Sequence, residues 1–168
     1  MKQVYLLSIL LFASLTGFTE SPKKAVGIRG GLSSGFEYRV FSGDLTSYKA
    51  LLSFRNQGLQ FTGLKEFHNP DAFDWCEELS FIYGFGAHVG FESWYDNVYH
   101  YENGNQHYYS DHRTGPVIGL DGLAATEYTI PTIPLVVGLE VKPYFNLFGE
   151  NFFHLQPFDF AFTVKYTF

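Results

Sequence analysis

Between Ser93 and Thr114 the chain gathers an unusual concentration of versatile side chains. The imidazoles are His100, His107 and His112, and the carboxylates are Asp96, Glu102 and Asp111. The large aromatics are Trp94, Tyr95, Tyr99, Tyr101, Tyr108 and Tyr109. Imidazole and carboxylate together could hold a transition metal, but their spacing fits no metal motif, and a polar connection collects such residues without a metal. The aromatics are more informative. Exposed rings offer large, stiff contact area with a polar tip, as at binding surfaces for protein or glycan. The alternative is a solvated connection whose rings fold onto the rim that carries it. Acyl transfer would need a serine, a base and an acid brought together. Ser80, Ser93 and Ser110 lie near His88, His107 or His112 in sequence, but none of the three stands in a Gly-x-Ser-x-Gly frame, and no phosphate-binding loop is present. The residues therefore predict no enzyme, no metal and no cofactor.

Whatever segment 93–114 does, other elements must position it. The chain has 168 residues, 20% of them aromatic and 17% charged, against roughly 25% charged in an average soluble domain. Mean hydropathy is −0.05, and no internal run reaches the ~18 apolar residues of a membrane helix. A closed barrel reconciles these facts, because alternation halves the apparent hydropathy while one face stays wholly apolar. The formal net charge is −6, with no basic cluster, which argues against a nucleic-acid partner. Cys76 is the only cysteine, so no intramolecular disulfide is expected, and a lone thiol is most simply buried or inert.

Residues 1–19 are expected to be a signal peptide. Lys2 provides the positive start, Val4 to Phe18 the apolar run, and Gly17 and Thr19 the small residues of a cleavage site. The domain proper is then residues 20–168. An uncleaved anchor is the alternative.

After residue 24 the hydrophobic period is two. In Phe158–Phe168 every even position is large and apolar and every odd one small or polar. The same rule predicts eight strands, at about 25–33, 35–41, 48–55, 58–68, 79–92, 115–129, 134–144 and 158–168. A single long first strand, with fewer strands in all, is the competing count. Glycine indicates which face points inward. Gly27, Gly31, Gly84, Gly86, Gly90, Gly119 and Gly138 lie on the polar face. Glycine weakens an exposed strand but suits the cramped lumen of an eight-stranded barrel.

The same face carries Arg29, Arg39, Lys49, Arg55, Lys142 and Lys165 against Glu37, Glu66, Glu92, Asp121, Glu127, Glu140 and Asp159. Charges inside a narrow barrel must pair or be hydrated, so a near-balanced set predicts a salt-bridged plug. Tyr38, Tyr128, Tyr166, Phe67 and Phe168 fall near strand ends, as an aromatic girdle requires, and Lys65, on the apolar face, sits where it can snorkel. Turns at 42–47, 69–78 and 130–133 share one side with both termini. Connections 33–35, 56–58, 93–114 and 145–157 share the other.

Three segments carry a resemblance: Gly35-Phe36-Glu37-Tyr38-Arg39 with Ala50–Phe54 after a polar turn, Tyr83–Gly90, and the final Tyr166-Thr167-Phe168. On these, residues 25–168 resemble the small eight-stranded outer-membrane barrel proteins of Gram-negative bacteria. The resemblance implies an all-β, antiparallel, up-and-down transmembrane barrel in the bacterial outer membrane. It also implies a monomer in contact with outer-membrane lipids and lipopolysaccharide. The terminal aromatic and the row Val164, Tyr166 and Phe168 are similar to the signal that the outer-membrane assembly machinery reads. No single activity follows, since such barrels include adhesins, anchors and lipid-modifying enzymes. A structural or surface-exposed barrel without catalysis is the primary expectation. A lipid-modifying enzyme and a soluble lipocalin-like ligand-binding barrel are the alternatives.

Overall fold

A computed structural model of the chain describes residues 24–55, 58–102, 105–149 and 153–168. The signal-peptide expectation for 1–19 lies outside them. The fold is a closed, antiparallel, eight-stranded β-barrel. The first six staves are β1 (Lys24–Gly31), β2 (Ser34–Phe41), β3 (Thr46–Arg55), β4 (Gly58–Asn69), β5 (Leu79–Glu102) and β6 (Asn105–Thr129). The last two are each in two pieces. The seventh comprises β7 (Leu135–Val141) and β8 (Tyr144–Phe148), and the eighth β9 (His154–Gln156) and β10 (Phe160–Thr167). Each stave pairs with the next, and β10 closes on β1 with Val26 opposite Tyr166 and Ile28 opposite Val164. Reciprocal backbone bonds between Lys24 and Phe168, at 3.0 and 2.9 Å, seal the seam at one end.

The alternation has the expected sense. Outward residues include Phe36, Phe54, Phe61, Phe85, Phe91, Phe160 and Phe162, all more than half exposed. Their inward neighbours Glu37, Ser53, Thr62, Ala161 and Thr163 are buried. A water-soluble barrel would carry the opposite distribution. The lumen also holds Leu64, Ile82, Leu123 and Ala125 as a small apolar cluster. These residues occupy polar-face positions by parity and pack against one another beside the charged rows, Leu64 opposite Lys49 and Ala125 opposite Glu140.

The strand limits follow expectation at one doubtful place and differ from it at two, each with a physical reason. First, the two N-terminal strands are separate, as the eight-strand count expects, joined through Leu32 and Ser33. Parity runs through that turn, so sequence alternation alone left the strand count open. Second, 145–157 is not a simple loop. The seventh stave resumes after Lys142 and Pro143 and turns back through β9. Pro143 and Pro157 have no N–H for the ladder. The ladder continues around them through Gly122 N to Pro143 O at 2.7 Å and Lys142 N to Asp159 O at 3.0 Å. Third, 93–114 is not a loop but a continuation of β5 and β6 as a paired ribbon, in register from Ser93 opposite Thr114 to Glu102 opposite Asn105. Its β-branched and aromatic content favours extended pairing. At the other end, Gly43 takes φ +89° in the turn between β2 and β3, a conformation that glycine adopts without steric cost.

Candidate functional site

The inward rows converge on a charge network. Arg39 grips Glu127 with both terminal nitrogens, at 2.7 and 2.8 Å, while its Nε faces Glu66 at 2.6 Å. Ser47 donates to Glu66 at 2.7 Å. Lys49 stands among Glu140 at 2.9 Å, Glu66 at 3.1 Å and Glu37 at 3.4 Å. Lys165 joins Glu37 at 2.8 Å to Glu127 at 2.7 Å. Arg29 pairs with Glu140 through Nε and with Asp159 at 3.3 Å, and donates to the Ser33 carbonyl at 2.7 Å. Four cations and five anions thus form one continuous network.

A second, smaller group lies on β5, β6 and the Lys142–Pro143 break. Asp121 accepts from Lys142 Nζ and from His88 Nδ1, each at 2.7 Å, and His88 Nε2 lies 3.1 Å from Asn146 Oδ1. The ring of His88 occupies the space that a side chain at Gly119, its cross-strand neighbour, would fill.

Eleven of the thirteen charges assigned to the interior from parity are therefore ion-paired, each no more than 5% exposed. Arg55 and Glu92 are half-buried nearer the ribbon end. Arg55 places its guanidinium 4.1 Å from the centre of the Tyr144 ring, across the lumen from β3 to β8. Stripping water from so many charges is expensive unless each finds several partners, and the shared carboxylates meet that condition. The arrangement fills and stiffens the barrel.

Sequence reasoning found the charged residues but missed Ser33, Ser47 and Asn146, which complete their hydrogen bonds. All three fall on the inward parity, which was the available signal. His88 makes the interior hydrogen bonds foreseen as the simpler fate of a mid-strand histidine, and it meets no serine. Ser93 instead bonds to Thr114 across the ribbon, Oγ to Oγ1 at 2.9 Å.

In the ribbon the register sets Trp94 opposite Arg113, Tyr99 opposite Tyr108, and His100 opposite His107. Tyr95 is 58% exposed. The side chains of Trp94, Tyr99, Tyr101, Tyr108 and Tyr109 lie outside the described residues, as do those of the candidate metal ligands. Of the C-terminal outward row, Val164 is 41% and Phe168 49% exposed, and the Tyr166 and Phe168 rings stack at 6.1 Å.

No protein-family model matches the chain, and no curated protein is similar to it. A solved structure is similar: the N-terminal β-barrel domain of Pseudomonas aeruginosa OprF. The TM-score is 0.53 at 9% identity, over 89% of this chain and the whole of that domain. A likeness at this identity concerns the fold alone. Fold and interior together define the class: a closed eight-stranded antiparallel barrel of the outer-membrane type.

Proposed function

We propose that the protein is an integral outer-membrane barrel without catalytic activity, which anchors the β5–β6 ribbon at the cell surface. The carrying observation is the inside-out distribution of polarity, with phenylalanine rows facing outward and eleven paired charges facing inward. In a bilayer every backbone group must be paired within the sheet, and closure achieves that. The ribbon end then faces outward and the seam at Lys24 and Phe168 faces the periplasm. Outer-membrane lipids and lipopolysaccharide surround the wall, and the barrel stands as a monomer. The aromatics Trp94, Tyr95, Tyr99, Tyr101, Tyr108 and Tyr109 form the surface offered to a protein or glycan partner. Val164, Tyr166 and Phe168 are the row that the assembly machinery reads.

The test is fractionation and electrophoresis. The chain should stay in the detergent-requiring outer-membrane fraction and migrate differently before and after boiling. A monomer that remains soluble without detergent refutes the proposal. An unchanged lipid-A mass spectrum on expression is expected, and a modified one would make the barrel an enzyme.

A further inference from the structure

A groove of about 530 Å³ crosses the outward wall on β3, β4 and β5. The register sets Ala50 opposite Gly63 and Gly63 opposite Ala87, so three small residues form its floor. Larger side chains rise on both sides. Phe61 stands toward the ribbon, and Tyr48, Lys65 and Phe85, themselves in register, stand toward the seam.

Gly63 has no use inside the fold. Glycine in mid-strand weakens a sheet, and it marks a bulge, a bend or the close approach of a ligand or another backbone. The pairing runs without a shift through Gly63 on both sides, and its φ is not positive. A Cβ there would meet no atom within 4 Å. The inward glycines of β5 differ: a Cβ at Gly84, Gly86 or Gly90 would lie 2.5, 1.9 or 2.4 Å from a carbonyl oxygen of β4. What the barrel leaves open at Gly63 is room for something outside it.

The groove is also where the wall carries charge. Among the described residues of the wall, Lys65 is the one outward charge away from the strand ends, and no carboxylate pairs with it. Its ammonium lies 5.3 Å from the centre of the Phe67 ring, toward the seam end of β4. A cation on a hydrocarbon-facing wall needs an anion or water within reach. Two other grooves on the wall, about 360 Å³ each, are lined by no charged side chain.

We propose that this groove seats one anionic glycerophospholipid of the periplasmic leaflet. Its phosphate rests on Lys65 beside the Tyr48 phenol, and one acyl chain lies over Ala50, Gly63 and Ala87. Charge and position select the occupant. The cation matches a phosphate, the apolar floor matches a chain, and the ammonium leans to the seam side. The proposal rests on the outer-membrane reading, which sets the seam toward the periplasm.

The experiment is native mass spectrometry of the folded barrel, released from detergent after titration with phosphatidylglycerol or with phosphatidylethanolamine of the same acyl chains. One phosphatidylglycerol per barrel should be retained saturably. It should be preferred over phosphatidylethanolamine, whose own ammonium competes with Lys65 for the phosphate. Lys65→Gln should weaken phosphatidylglycerol binding about tenfold, the worth of one hydrogen bond to a charged group, and remove the preference. Gly63→Leu fills the groove from a position with open space and should abolish retention of both lipids. Boiling-dependent migration verifies that each variant is folded. No retained lipid, equal retention by Gly63→Leu, or a preference unmoved by Lys65→Gln overturns the site while leaving the membrane reading intact. A dimer that Gly63→Leu separates overturns it in favour of a second copy on the same groove. A chain soluble without detergent fails the membrane reading instead.

Discussion

Replacing Glu140 with leucine tests whether the interior network holds the barrel together. Glu140 is 2% exposed and stands between Arg29 and Lys49. Removing it strands both cations, though neither completely. Lys49 retains Glu66 at 3.1 Å and Glu37 at 3.4 Å, and Arg29 retains Asp159 at 3.3 Å. Breaking a buried pair from one side costs ~3–5 kcal/mol when the remaining charge has nothing else. With alternative carboxylates on both cations, the lower end, ~3 kcal/mol, is expected. Leu139 is the built-in control, adjacent in sequence but 53% exposed on the outer wall. Leu139→Ala should cost only ~1 kcal/mol, because that side chain loses outer-wall contact and leaves no sealed cavity. The assay is urea unfolding of the barrel in a defined lipid or detergent, followed by the loss of fast-migrating species and by tryptophan fluorescence. A Glu140→Leu cost no greater than that of Leu139→Ala would refute the account of the network as a structural plug.

Other outcomes follow from the same geometry. Gly119→Ala places a methyl carbon 2.7 Å from His88 Nε2 and into the Phe145 carbonyl, so it should destabilise the barrel by ~1–3 kcal/mol and shift the His88 ring signals. Replacing 96–111 by a short turn should leave the boiling-dependent migration intact, since no strand of the wall other than β5 and β6 pairs with that segment, and should abolish partner or glycan capture by cells. Loss of the migration shift would show the ribbon to be part of the folding unit. Deleting Phe168 removes the two seam bonds to Lys24, yet refolding into detergent should be nearly normal while outer-membrane levels in cells fall sharply. Unchanged cellular levels would rule out an assembly role for that residue.

The degree to which this barrel can be read from its chain depends on what each residue needs from its neighbours. Strand parity needs only i and i+2, and it is legible throughout: Phe158 to Phe168 alternate without error, and the exposures follow. The face assignment also needed no coordinates, because glycines and balanced charges together suit a confined space and not a solvated one. Pairings within the network are another matter. Arg29 and Glu140 are separated by 111 residues, and the sequence contains nothing that favours Glu140 over Glu66 or Glu127 as the partner. Closure and register decide that, since a shift by one residue would reverse every face.

Proline shows the opposite limit. Neither Pro143 nor Pro157 can donate to a ladder, a local preference for ending a strand. Closure overrode that local preference by using the carbonyl of Pro143 and the backbone of Lys142 and Asp159 instead. The break is also where Asp159 and Lys142, both buried, enter the lumen from adjacent staves. The interruption leaves the inward parity of the seventh stave intact, while in the eighth it shifts from Gln156, opposite Tyr144, to the buried Asp159. Glu140, Lys142, Tyr144 and Asn146 all remain on the inner face through it. Segment 93–114 departs from its composition for a related reason. Polar, histidine-rich composition argued for a loop, but pairing between two long neighbouring strands needs no core once the barrel has set their register. Composition there describes what the segment meets, while the barrel beneath it determines how the backbone runs.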